Sequence, residues 1–561
     1  MKKNRLFLMP LIAATLSLGS CSSDSPDMGG NDNTFKGDQA FMKVRIGMAD
    51  GSATRSTTDE GYEYGSDKEQ AVKSLGFKFY YNNGKFAAYG ESYPVNGDIT
   101  TTPNTPNGEY VEAFADAVIA LTVKEGEEKP VYAVAYVNCD NDDWKVSEEP
   151  DLSDISLKIN DLGSDSKGYA MTSSNYGTNG YQTKVDPAKF FETSAAAILD
   201  ENPVEIHVER IAAKVTVTQK ATPENSVEKD GYTFKFEVKG FALGGTNKQS
   251  FLIKNLDSSW NATTLWSSWQ PDNEYRCFWA KDINYNYVDA MNQLNQSSYK
   301  DAKEPGKYIY CHENTFAAAG NSGANPYSIQ PYVYITGIYK VTKGTAPNTE
   351  TVTDDLFSYA GNIYQTPDMI NIMQNAIGTV LYTQDTSTPA NYVGVNLKDK
   401  DLVEIVAQDA NNVILQLKKE KDGDEEKDPD LSGYFINTGD KDNPTWTAAT
   451  VENVNALLAK PIKANGFKYD GTAGGHLAYF PVLIEHLNYK PNTTRDKQPV
   501  GAYGVVRNHI YQLEINSITN LGIGVFDPEE IISPDTNTKT YYLGAKIRIL
   551  SWKVVKQGVD L

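Results

Sequence analysis

Stretch after stretch of this sequence places an apolar residue at every second position. Residues 41–48, FMKVRIGM, set Met42, Val44, Ile46 and Met48 against Lys43, Arg45 and Gly47. The same alternation runs through 204–220 (VEIHVERIAAKVTVTQK), 328–341 (SIQPYVYITGIYKV) and the Leu543, Ala545, Ile547, Ile549 series. Successive side chains of a strand point to opposite faces, so this period buries one face of a sheet and leaves the other wet. Tyrosine, at 35 residues, reinforces the reading, because aromatic side chains favour strands. Turn signals separate the runs. Asn82-Asn83-Gly84 joins 74–82 to 85–93 as a hairpin, and 409–412 (DANN) folds 401–419 into another. The stretch 140–144 (DNDDW) reads as a turn, and 150–185, rich in Ser, Gly and Asn, as loop.

Helix signals are few. Residues 185–203 read as one helix with Asp186 at the N-cap, Pro187 at the first position and Phe190, Ala197 and Ile198 on its apolar face. Residues 366–378 read as a second, with Thr366 as N-cap, Pro367 behind it and Gly378 past its end. A third, in 450–466, stops at Pro461. No tandem repeat is present. The chain of 561 residues is too long for one core, so the expectation is a mainly β protein of β-sandwich domains with short helices and loop insertions. A boundary is placed near the long strand region 204–220.

Charge narrows the partners. A net charge of −21 and a pI of about 4.8 exclude the basic footprint that nucleic acid requires, so no nucleic-acid partner is expected. The N-terminus, MKKNRLFLMPLIAATLSLGSC, has a basic start and an apolar core too short to span a bilayer, the pattern of a secretory signal. Its end, Leu18-Gly19-Ser20-Cys21, resembles the lipobox of bacterial lipoproteins, which implies cleavage before Cys21 and a lipid on its sulfur. The polar tether that follows, 22–33, resembles the surface-export signals of Bacteroidetes lipoproteins. Three other cysteines remain. Cys277–Cys311 is the expected disulfide if one forms, against the alternative that Cys139, Cys277 and Cys311 are all buried thiols.

A search for catalytic chemistry comes back nearly empty. The five histidines, His207, His312, His476, His486 and His509, make no HExxH, and neither a GxSxG elbow nor a P-loop occurs. The 521–526 stretch (LGIGVF) lacks the third glycine and the βαβ context of a dinucleotide site. The acidic run 422–430 lacks the order of a calcium loop and reads as a solvated surface. Trp260, Trp266 and Trp269 crowd one loop and could stack on sugars, although packing is the ordinary use of such residues. No cofactor, metal or enzymatic activity is expected.

Four blocks carry a family resemblance: HVERIAAKVTV (207–217), YIYCHENT (308–315), VVRNHIYQLEINSITNLG (505–522) and the terminal ILSWKVVKQGVDL (549–561). Together, in that order, they resemble the Mfa1-like fimbrillins, the major subunits of type V fimbriae in the FimA/Mfa1 superfamily of Bacteroidetes. The resemblance implies two transthyretin-like β-sandwich domains, export as a lipoprotein to the outer membrane, and cleavage after an arginine of the first domain that removes the first strand. The matching arginine is Arg55, with Ser56 as the new N-terminus. It further implies head-to-tail self-polymerisation by donor-strand exchange, accessory anchor and tip subunits, an Arg-specific processing protease, adhesion to host or bacterial receptors, and residence in a surface fimbria. The expected organisation is a signal peptide (1–20), a lipidated tether with a removable strand (21–55), an N-terminal domain (56–206), a C-terminal domain with insertions (207–550) and a donor tail (551–561). Met42, Val44, Ile46 and Met48 are the residues of the displaced strand. Trp552, Val554, Val555, Val559 and Leu561 are those of the donor.

The residues agree with this on physical grounds. Arg55 stands in a soft Gly/Ser/Thr/Asp segment, 49–61, of the kind that proteases bind and nick. Arg45, by contrast, lies within a strand and should be shielded by its ladder. The tail ends the chain and is free to leave its domain, with 541–550 read as an ordinary last strand and 551–561 as the detachable part. A head-to-tail contact does not close on itself and therefore builds filaments. The rivals are a tip or accessory adhesin of the same family and a glycan-binding surface lipoprotein.

Overall fold

The computed structural model describes residues 33–49, 62–63, 65–93, 99, 101–103, 111–174, 180–257, 259–260, 277–285, 294–295, 297–316, 330–385, 391–409, 412–422, 425–529, 532 and 552–560. The fold is mainly β. Its first domain is built from β1 (Gln39–Ala49), β3 (Leu75–Tyr80), β4 (Phe86–Tyr93), β5 (Val111–Thr122), β6 (Tyr132–Val137), β7 (Met171–Ser173) and β8 (Val204–Arg210), while β2 (Tyr62–Glu63) belongs elsewhere. The hydrogen-bonded order runs β1-β8-β7-β6-β3-β4-β5, and β5 then pairs back onto β1. The sheet thus closes on itself. Its interior is filled by the inward residues of these alternating strands, among them Met42, Val44, Ile46, Phe77, Phe79, Ala115, Ile119, Ala135 and Ile206.

The region 204–220 is two strands laid end to end. After β8 the chain passes through the wholly buried Ile211 and Ala212 and enters β9 (Ala213–Glu224) in a different sheet. The second domain adds β10 (Tyr232–Gly244), β11 (Ile309–Cys311), β12 (Tyr332–Lys343), β13 (Gly475–Leu483), β14 (His509–Ser517) and β15 (Trp552–Asp560). One sheet has the order β11-β9-β14-β15-β2, and the facing one contains β10-β12-β13. Val215, Val217, Leu513 and Ile515 from the first meet Phe234, Phe236, Ile335 and Phe480 from the second, which is sandwich packing.

Between β12 and β13 the chain builds an inserted unit with its own core, including Met369, Met373, Leu381, Leu397, Leu415, Val454 and Leu458. It contains the expected hairpin, Val403–Asp409 with Asn412–Leu417. It also contains two helices. Thr366–Ile377 starts one residue earlier than expected, with Gln365 rather than Thr366 at the N-cap, and ends at Gly378, whose φ of 90° no side chain would favour. Val451–Leu458 is capped by the Thr450 hydroxyl, which accepts from Asn453 N.

Other local expectations fail, among them the loop reading of 150–185, a stretch that supplies β7 to the closed sheet. The single helix in 185–203 is broken into a short 3-10 turn, Pro187–Lys189, and a helix of five residues, Ser194–Ile198, capped by Thr193. The break falls where Phe191 pairs its backbone with Phe41 of β1 in both directions, at 2.7 and 2.8 Å. Tertiary strand pairing overrides helix propensity there, and Ile198 ends 59% exposed. Residues 141–144 form a helical turn instead of an open turn, because Trp144 is buried and stacks on Tyr136.

Candidate functional site

In the first domain the informative element is β1. It pairs antiparallel with β5 from Gln39↔Thr122 to Ala49↔Val111 and parallel with β8 from Val44↔Val204 to Met48↔Val208. No other described strand bonds both β5 and β8, so β1 is the stave that closes the sheet. Met42, Val44 and Ile46 have no solvent exposure. At about 1.5–3 kcal/mol for each such side chain, their burial contributes roughly 5–9 kcal/mol. Met48 continues the register opposite Val208 and Ala113.

The outward residues are specifically seated too. Arg45 donates from Nε and Nη2 to the two carboxylate oxygens of Asp116, at 2.7 and 2.8 Å, and its guanidinium lies 5.5 Å from the centre of the Phe114 ring. The hydrogen bond from Arg45 holds the Asp116 carboxyl below its usual range. On the other side Arg45 stands beside Glu205. Lys43 Nζ donates to the carbonyls of Asp200 and Ile198, at 2.9 and 3.4 Å. Arg45 is therefore held in the ladder from both sides. Arg55, Ser56 and Cys21 lie outside the described residues.

The second element is β15, which carries Trp552, Val554, Val555 and Val559; Leu561 lies outside the described residues. It runs parallel to β14 from His509↔Lys553 to Ser517↔Asp560. On its other side, Tyr62 and Glu63 of β2 pair with Lys553 and Trp552. The segment that follows the soft linker thus rests on the C-terminal strand.

Glu69, a little further along, pins that segment to the domain junction. Its Oε1 accepts from Lys214 Nζ and from the Tyr310 hydroxyl, both at 2.8 Å, and its carbonyl accepts from Arg210 Nε at 2.9 Å. Burial alone would raise the Glu69 carboxyl. The charges of Lys214 and Arg210 outweigh it, and the group sits below its ordinary value. Lys254 with Glu209 and Arg507 with Glu313 are further buried pairs near the same junction, at 3.0 and 3.3 Å. Sequence reasoning missed all three. The partners are 145, 45 and 194 residues apart, and no local pattern announces them.

The remaining candidates are structural. His312 sits between Ser250 Oγ and the Asn160 carbonyl, and burial pushes it down to about 4, so it stays neutral. His476 and His486 each reach backbone carbonyls in the core. No group of metal-ligating side chains occurs among the described residues. The expected Cys277–Cys311 bridge is absent: Cys139, Cys277 and Cys311 are buried free thiols, and Cys277 Sγ–H donates to the Trp279 carbonyl. Gly524 in the 521–526 stretch is a packing glycine, since a Cβ there would stand 2.1 Å from the Gly466 carbonyl. The acidic run contributes an exposed hairpin, Glu420–Asp422 with Glu425–Lys427. Trp260 is half-buried, edge-to-face with Tyr285 and packed against a small buried cluster with Trp279, and Trp266 and Trp269 lie outside the described residues.

In this mainly β chain the first sheet is closed by β1, and comparison with known proteins supplies the family. The family described as major fimbrial subunit protein (FimA) matches residues 40–228, and that described as major fimbrial subunit protein type IV, fimbrillin, C-terminal, matches residues 475–558. The chain belongs to the fimbrillin family of fimbrial subunit proteins. No curated protein matches the sequence. Among solved structures, a fimbrillin (FimA) from Porphyromonas gingivalis is 12% identical, with 92% of this chain and 97% of that one covered and a TM-score of 0.29. A fimbrial assembly protein from Parabacteroides distasonis is 13% identical, covering 56% and 86%, with a TM-score of 0.27. The tip fimbrial protein Mfa3 from Porphyromonas gingivalis, C-terminally truncated, is 12% identical, covering 56% and 81%, with a TM-score of 0.24. The family's role is structural, in fimbriae at the cell surface, and its members assemble with one another and with accessory subunits.

Proposed function

We propose that this chain is a polymerising fimbrial subunit, exported as a lipoprotein on Cys21, cut between Arg55 and Ser56 by an Arg-specific protease, and joined to its neighbours by donor-strand exchange. The observation that carries this reading is that β1, alone among the described strands, bridges β5 and β8. Taking one strand from a closed sheet opens two edges and an apolar trench between them, the kind of site that strand addition recognises. The cut lies between β1 and β2, so it severs lipid, tether and β1 from the body of the subunit in one step. β1 then stays seated by its burial and its ladder until a strand from the C-terminal segment of another copy displaces it.

The test uses the precursor and an arginine-specific protease. Treated protein should form a ladder of oligomers on a denaturing gel without boiling, and Arg55→Ala should remain monomeric under the same treatment. Normal filaments from Arg55→Ala would refute the cut at Arg55. Polysaccharide hydrolysis with no ladder would refute the fimbrial mechanism as a whole.

A further inference from the structure

Donor-strand exchange leaves open which part of the C-terminal segment enters the slot. Ile532 is anchored, its N–H donating to the Ser297 carbonyl and its carbonyl accepting from the Tyr332 hydroxyl. Beyond it lie 533–551, outside the described residues, and then β15. Two pieces of this tail are therefore candidates, and the slot discriminates between them.

We infer that the occupant is residues 543–551 of a second copy, in the register Leu543 for Ala40 through Ser551 for Met48. β1 reads AFMKVRIGM over 40–48, and the tail reads LGAKIRILS over 543–551. Lys43, Arg45 and Ile46 recur as Lys546, Arg548 and Ile549, and Val44 becomes Ile547. In this register Ile547 enters the place between Ala117 and Val204, and Ile549 that between Ala115 and Ile206. Arg548 meets Asp116 and Glu205, and Lys546 reaches the carbonyls of Asp200 and Ile198 that now hold Lys43. Two inward mismatches arise: Ser551 takes the place of Met48 at the last paired position beside Val208, and the other compensates itself. Ala40 and Met42 are replaced by Leu543 and Ala545, neighbours on the same face, and a Met-for-Leu exchange roughly conserves volume. Leu550 replaces Gly47 beside the half-buried Phe114, adding an apolar contact on the outer face.

The other piece does not fit. In residues 552–561, WKVVKQGVDL, one phase of the alternation would turn Lys556 and Asp560 into the trench and the opposite phase Lys553 and Gln557. Unpaired polar groups of this kind are costly to bury. That stretch already has a ladder of its own on β14.

This inference rests on the donor-strand reading, and the experiment separates the two. Full-length Arg548→Cys and Asp116→Cys proteins are mixed, treated with the protease and oxidised, in parallel with Val555→Cys and Asp116→Cys. The expected result is a disulfide-linked band from the first mixture only, stable to boiling and lost on reduction. Cross-linking of Val555 in place of position 548 would overturn the register while leaving strand exchange intact. A ladder in which neither pair cross-links would overturn the register alone, and the absence of any ladder from the protease-treated wild-type protein would overturn strand exchange itself. Charge reversal gives an independent readout: Arg548→Glu should reduce the ladder at least tenfold, and Asp116→Lys in the receiving copy should restore it. No loss from Arg548→Glu, or no rescue of a loss, would overturn the inference.

Discussion

β1 and β15 are the strands at the two ends of the described chain, and they are held differently. β1 has a full-length neighbour on one side and a five-residue ladder on the other, and it closes its sheet. β15 has one long neighbour, β14, and only the two residues of β2 opposite. Removing β1 opens a closed sheet at two edges, whereas removing β15 from an open one bares the long edge of β14 and leaves only the two residues of β2 without that partner. The difference shows why a strand at the start of the chain can serve as a removable part. Its site is defined on every side, so another strand can be recognised there by the same residues.

Four experiments would break or sharpen the contrast, in falling order of effect. Deleting 39–49 should abolish cooperative unfolding of the first domain, and deleting 552–561 should only lower the transition of the second; calorimetry distinguishes the two, and equal effects would dissolve the comparison. Glu69→Ala removes one partner of a buried ion pair and should cost about 3–5 kcal/mol by denaturant titration, because Lys214 is left uncompensated. The Glu69 carboxyl is depressed in the folded protein, so its contribution is present above its unfolded value of about 4.3 and is lost as pH falls through the folded one. A wild-type stability that is flat below pH 4 while Glu69→Ala is destabilised would refute that linkage. Ile46→Ala should cost about 2–5 kcal/mol in the uncut precursor, through a cavity in the first core. Arg45→Ala should cost only about 0.2–1 kcal/mol, since Arg45 and Asp116 are both well exposed, and the loss should shrink in high salt.

Much of the architecture was legible because strand alternation is a local signal. The hairpin at Gly84, the strand β12 and the phase of Met42, Val44 and Ile46 all follow from which residues alternate. The helix in 185–203 was misread because its middle is committed to β1, a partner some 150 residues away. The pairing of Lys214 with Glu69 went unmarked for the same reason. Nothing near either residue in the sequence indicates that they meet.

The sequence by itself determined the mainly β character, the acidic surface, the lipobox-like end at Cys21, the soft segment around Arg55 and the near-repeat of KVRI as KIRI at the far end of the chain. All of these depend on residues close together or on a simple comparison of strings. Only the tertiary structure decided that β1 closes its sheet, that Asp116 and Glu205 flank Arg45, that Glu69 bolts the post-linker segment to the domain junction, and that 552–560 already lies in the second domain. These depend on which distant strands become neighbours, which burial of the whole chain settles and no local pattern records.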